Sequence, residues 1–199
     1  MRRSSPLMPF LAAAALAVAA SAVALPASAD TSPPTPDAPL GLVDGKPAPY
    51  ACFIRRYDAD HLADHPKQNV TQMTVFISAD SPEAGQVPTY QMTVGVYFRG
   101  VDKRFDVSGS CFHSDDPGQL LGCGVDCDGG RIGVRQKGAD AVLVDIPNGA
   151  RVGDPENEAP KAARFGSDDI TFLLNRTSVR DCLAVVPDPD LKARIRKGK

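Results

Sequence analysis

Apolar and polar residues alternate with a period of two along most of this chain from residue 50 onward, and helical periodicity is nearly missing. The clearest stretch is 89–99. Tyr90, Met92, Val94, Val96 and Phe98 fall on one side, and Gln91, Thr93, Gly95, Tyr97 and Arg99 on the other. Successive side chains of a strand point to opposite faces, so this pattern predicts a strand whose apolar side enters a core. Residues 50–57 read the same way, with Cys52 and Ile54 sharing a face. Residues 70–79 alternate at first and become fully apolar at Val75-Phe76-Ile77, as a strand entering a core does. Further strands are expected around 105–111, 120–127, 132–134, 141–146, 170–174 and 178–183.

Turn-forming residues separate these stretches, at Gly100-Val101-Asp102-Lys103, Asp115-Asp116-Pro117-Gly118, Gly129-Gly130 and Lys137-Gly138-Ala139-Asp140. Residues 58–65 are the exception. They predict a short helical turn with Asp58 or Asp60 as cap and Pro66 as stop. Residues 147–169 are polar and aperiodic and read as a long surface loop. The pattern predicts a mainly β chain, an antiparallel β-barrel or β-sandwich of about eight to nine short strands with one short helical turn.

The two ends differ from this middle. Met1-Arg2-Arg3 supplies positive charge, 11–23 is an apolar run interrupted only by Ser21, and Ala27-Ser28-Ala29 offers a small-residue cleavage site before Asp30. Residues 1–29 therefore read as a signal peptide. Residues 30–49 are rich in proline and read as an extended linker. One β domain is expected over 50–184, and a solvated basic C-terminal tail over 185–199.

Cleavage removes Arg2 and Arg3 and no acid, taking the formal charge from −2 to −4. An acidic chain is unsuited to non-specific nucleic-acid binding, which needs clustered cations against phosphates. No stretch after the leader is long and apolar enough for a transmembrane segment. The heavy use of Ala, Val, Arg, Asp and Pro, with no Trp, looks like a GC-rich bacterial genome, so the expected location is the periplasm or the secreted space.

An oxidising destination changes how the five cysteines are read. With Asp115–Gly118 as a hairpin turn, Cys111 lands beside Gly122 and Cys123, and a Cys111–Cys123 bridge needs a one-residue adjustment. Cys123 and Cys127 are separated by about 13 Å of extended chain, beyond the reach of a disulfide unless Gly124 permits a tighter loop, so this pairing is disfavoured. Cys52 and Cys182 lie at the two ends of the folded region, where a bridge would fasten the first strand to the last. With those two pairings Cys127 is the candidate free thiol. The C-x-x-C spacing of thiol oxidoreductases is missing.

Candidate chemistry is sparse. His61 and His65 are four apart on the helical turn, which puts both imidazoles on one face, as Zn²⁺ or Cu²⁺ ligation requires. Asp58, Asp60, Asp64 and His113 are the further ligands on offer, and no other cofactor is expected. Asp126, Asp128, Gly129 and Gly130 resemble part of a calcium loop, but the remaining oxygens and the closing Glu are missing. A turn or bulge needing glycine torsions is the favoured reading. Ser108-Gly109-Ser110 lies inside a strand, without the strand-turn-helix setting of a catalytic serine. Asn69-Val70-Thr71 and Asn175-Arg176-Thr177 match the glycosylation pattern and are read as ordinary strand and loop residues.

Arg56-Tyr57-Asp58, His61-Leu62, His65-Pro66 and Gln68, followed by the 123–130 block and Arg180-Asp181-Cys182, resemble exported proteobacterial proteins with no assigned function. That resemblance implies no activity and no catalytic residues. The reading is a disulfide-stapled, exported β domain that binds an unknown ligand or protein partner. The alternative is a divalent-metal protein built on His61 and His65.

Overall fold

Seven pairings between sequence neighbours and one closing pairing turn the alternating stretches into a closed antiparallel barrel of eight strands. The computed structural model describes residues 31–32, 38–43, 46–80, 88–126, 128–153 and 159–198. The leader at 1–29 and Cys127 lie outside the described residues. Three two-residue strands come first, β1 (Thr31–Ser32), β2 (Leu42–Val43) and β3 (Lys46–Pro47), paired as a small separate sheet. The barrel strands are β4 (Tyr50–Arg56), β5 (Val70–Ala79), β6 (Tyr90–Phe98), β7 (Phe105–His113), β8 (Gln119–Val125), β9 (Arg131–Gln136), β10 (Ala141–Asp145) and β11 (Thr171–Thr177). β11 closes the ring on β4, from Asn175 opposite Ile54 to Thr177 opposite Cys52. Closure removes the exposed strand edges that an open sheet of this size would leave.

The alternation in β6 is carried into space. Tyr90, Met92, Val94, Val96 and Phe98 are all buried in the barrel core. Phe53, Phe98, Phe172, Met73, Met92, Ile132 and Leu174 fill the lumen with almost no exposure. Each such side chain contributes about 1.5–3 kcal/mol on burial. Eight-stranded barrels are narrow enough for side chains alone to fill.

Both ends are plugged by segments that the sequence pattern reads as loose. At one end Leu40 and Ala48, from the supposed linker, join the core, and the Arg176 Nη2 donates to the Leu40 carbonyl at 3.0 Å. At the other end Phe165 meets Phe98 and Phe172 edge-on, with centroids 5.5 and 6.2 Å away. Ala163 and Val152 are buried beside it. The described parts of 147–169 are thus more than a surface loop, because Val152, Ala163 and Phe165 find the open mouth of the barrel.

The C-terminal region brings two further corrections. Residues 178–183 do not form a closing strand. A 3₁₀ turn at Val179–Cys182 follows β11 instead, with the Ser178 side chain accepting from the Arg180 N–H. The turn lets Cys182 reach back over the outside of β4. Beyond it, the basic tail is not frayed. It forms helix α2 (Pro189–Arg196), capped by Asp188, with Leu191 and Ile195 buried. These two side chains, with Val185 and Val186, cover Cys52 and Phe76 on the outer face of β4 and β5. This explains the run Val75-Phe76-Ile77, since Val75 and Ile77 face the lumen and Phe76 faces the second cluster. The cover is tight: a Cβ on Gly95 would lie 2.5 Å from Val185 Cγ1.

The two disulfides are Cys52–Cys182 and Cys111–Cys123. Cys111 and Cys123 stand directly opposite each other, so the one-residue adjustment expected from the turn is made. Among the described residues no helix is long and apolar enough to cross a membrane.

Candidate functional site

The predicted helical turn is α1 (Ala59–Asp64), with Asp58 as cap. His61 and His65 do share its face, but their rings are engaged with each other. Tyr57, His61 and His65 form a stacked ladder with centroid spacings of 4.6 and 4.4 Å. His61 is fixed further by Gln68. The Gln68 amide donates to the Val70 carbonyl at 2.8 Å, which turns its oxygen toward His61 Nε2 at 3.0 Å. That oxygen can only accept, so Nε2 is the donor in this contact and Nδ1 is the ring nitrogen left for ligation. Among the described residues no three His, Cys, Asp or Glu side chains are grouped to hold a metal ion.

The Asp126–Gly130 loop is a turn between β8 and β9. Gly129 N–H bonds to the Asp126 carbonyl at 3.2 Å, and Val125 N–H bonds to that of Gly130 at 3.0 Å. Asp128 and Gly130 take φ of 57° and 113°. Left-handed torsion at Gly130 is what glycine supplies there, in keeping with the turn reading.

Sequence reasoning missed the anchor at this end of the barrel. Asp169 is 1% exposed. Its carboxylate accepts from the backbone N–H groups of Gly166 at 2.7 Å, Asn69 at 2.8 Å and Val70 at 3.2 Å. Asn69 answers by donating from Nδ2 to the Ala162 and Arg164 carbonyls, each at 2.7 Å. Arg99 completes the stitching. It donates from Nη2 to the Leu62 carbonyl and to that of His65, and from Nε to that of Gln68, tying down the end of α1. No local signal marks Asp169, because two of its three partners, Asn69 and Val70, lie some hundred residues away.

Burial holds the Asp169 carboxyl above its ordinary range, against the opposing pull of its three backbone donors. A raised folded-state value means that folding favours the protonated form. The resulting stabilisation is complete below the ordinary value of 3.8 and is lost as pH rises through the folded-state value. Asp169→Asn, which cannot ionise, should therefore gain on wild type as pH rises from below 3.8 to neutral. Urea midpoints of the two proteins over that range check this; a constant difference would contradict it.

The outside of the barrel is divided. One half, over β4 to β6, lies under the 3₁₀ turn and α2. On the other half, strand register lines up Phe112, Gly122, Gly133, Asp145 and Thr171 across β7 to β11. Phe112 is 59% exposed and stands at one side of a trough of about 650 Å³ floored by the two glycines. The Gln119 side chain lies over that floor, its Nε2 and Oε1 each 3.3 Å from where Cβ atoms on Gly122 and Gly133 would be. At the far side Asp145 is clasped by Arg135 at 2.5 and 3.0 Å and accepts from Thr171 Oγ1 at 2.7 Å. The Arg135 guanidinium holds the Asp145 carboxyl below its usual range.

An exposed ring, an amide that both donates and accepts, and a fixed carboxylate can grip a ligand. Phe112 did leave a trace in the sequence. Phe105, Val107, Gly109 and Cys111 face inward, so Phe112 is an apolar residue on the otherwise polar side with Asp106, Ser108 and Ser110. No protein-family model, curated protein or solved structure matches this chain.

Proposed function

We propose that the protein is exported to the periplasm or secreted space and acts there as a non-catalytic binding module, taking its ligand or protein partner on the trough beside Phe112. The observation that carries this reading is the Phe112 ring, 59% exposed over a floor of glycines, on the uncovered half of the barrel. Large apolar side chains set in concave, polar-rimmed surface are characteristic of interaction sites. The filled lumen supports an outer site rather than an inner one. Export is supported by the leader pattern together with two disulfides, which persist in oxidising compartments.

The test is site-specific photo-crosslinking in the producing cell, with a benzophenone amino acid at position 112 and, as control, at exposed Arg56 on β4. A discrete adduct from 112 alone is expected. Phe112→Ala should then weaken binding of the crosslinked species by about 2 kcal/mol while leaving the melting temperature unchanged. Equal adducts from both positions, or full affinity in the variant, would sink the reading. Mass spectrometry of the mature N-terminus tests export separately, with a start at Asp30 expected.

A further inference from the structure

We propose that the cleft between the start of β5 and the 160–169 segment is a binding site for a phosphate group, free or as a monoester. It is independent of the trough, lying at the Phe165 end of the barrel. The cleft has a volume of about 310 Å³, and Lys67, Arg99, Lys161 and Arg164 line it, with no Asp or Glu among the described residues of its walls. Among the described residues the ion pairs are Arg104–Asp106 and Arg135–Asp145, so all four of these cations are without a carboxylate partner. The acid behind them, Asp169, is buried, and backbone N–H groups occupy its oxygens. Four clustered positive charges on an otherwise acidic chain repel one another, and a bound dianion relieves that repulsion.

The walls are held in place before any ligand arrives. Arg99 is locked through Nε and Nη2 by three backbone carbonyls, which leave its charge uncancelled and Nη1 without a partner among the described residues. A fixed guanidinium edge suits a tetrahedral oxyanion. The segment carrying Lys161 and Arg164 is bound to β5 by Asn69 and Asp169. It also seats directly on the chain bearing Lys67, where a Cβ on Gly166 would lie only 2.0 Å from the Lys67 carbonyl oxygen. Asn69 is thereby a structural fork, with its amide donating inward to two carbonyls.

The experiment is an NMR titration of the purified, disulfide-intact protein with inorganic phosphate and, separately, glycerol 3-phosphate, sodium chloride keeping ionic strength constant. Saturable amide shifts confined to 67–69, Arg99 and 161–166 are expected. The double variant Lys161→Ala/Arg164→Ala should bind at least tenfold more weakly with an unchanged melting temperature; both side chains are exposed. Saturation by phosphate itself assigns the free anion, and saturation by the ester alone assigns a phosphorylated molecule; either supports the site. Failure of both to saturate, shifts scattered over other basic residues, or undiminished binding by the double variant overturns it.

Discussion

Val94→Asp should abolish soluble expression. Val94 sits mid-strand in β6, fully buried in the barrel lumen, between Val75 of β5 and Val107 of β7. A carboxyl group there meets only side chains that cannot hydrogen-bond to it. It must either ionise in an apolar medium or stay protonated and unsatisfied. With the lost valine packing added, the cost exceeds about 4 kcal/mol, a large part of the 5–15 kcal/mol typical of whole domains. Val94→Ala is the companion measurement. It leaves a cavity without a polar group and should cost about 2–3 kcal/mol in urea unfolding. A soluble, cooperatively folding Val94→Asp would contradict the inward placement of β6.

Replacing both Cys52 and Cys182 by Ala should lower stability by about 5 kcal/mol, against about 3 kcal/mol for the Cys111/Cys123 pair. The difference lies in the loops closed. The first bridge spans 130 residues and the second 12, and the entropy withheld from the unfolded chain grows with the logarithm of that length. The long bridge also anchors the second apolar cluster, since Cys52 and Cys182 are its fully buried centre. Its loss should therefore expose Phe76 and loosen α2 before the barrel opens. Urea unfolding of the two double variants, with hydrogen exchange at the α2 amides, checks both statements. A larger loss from the Cys111/Cys123 pair would contradict the loop-length ranking.

How much could be read from residues alone is clearest strand by strand. In β6 the face, the extent and the buried set were legible, because a period of two is a local property and flanking turns set its limits. The disulfide pairing was legible for a related reason. The turn at 115–118 places Cys111 against Cys123, and the remaining long-range pair lies at the ends of the folded region. The His61/His65 pair is different. Spacing on α1 put the rings on one face, but it could not show that Gln68 and Tyr57 occupy them.

The amino-acid sequence by itself determined that the middle of this protein is a series of antiparallel strands joined by tight turns, which face of β6 is dry and that Cys111 lies near Cys123. All of these follow from neighbours a few residues apart or from short turns. Barrel closure decided the rest. It brought Asp169 to Asn69, drew Phe165 and Leu40 in as plugs, and gave the C-terminal tail an apolar surface on which to become α2. It also gathered the trough from Phe112, Gly122, Gly133 and Asp145, and the cationic cleft from Lys67, Arg99, Lys161 and Arg164. Those groupings depend on register around the whole ring, including the shift between Gln119 and Leu121 on β8. Such register is set by packing the closed lumen, not by any single segment of chain.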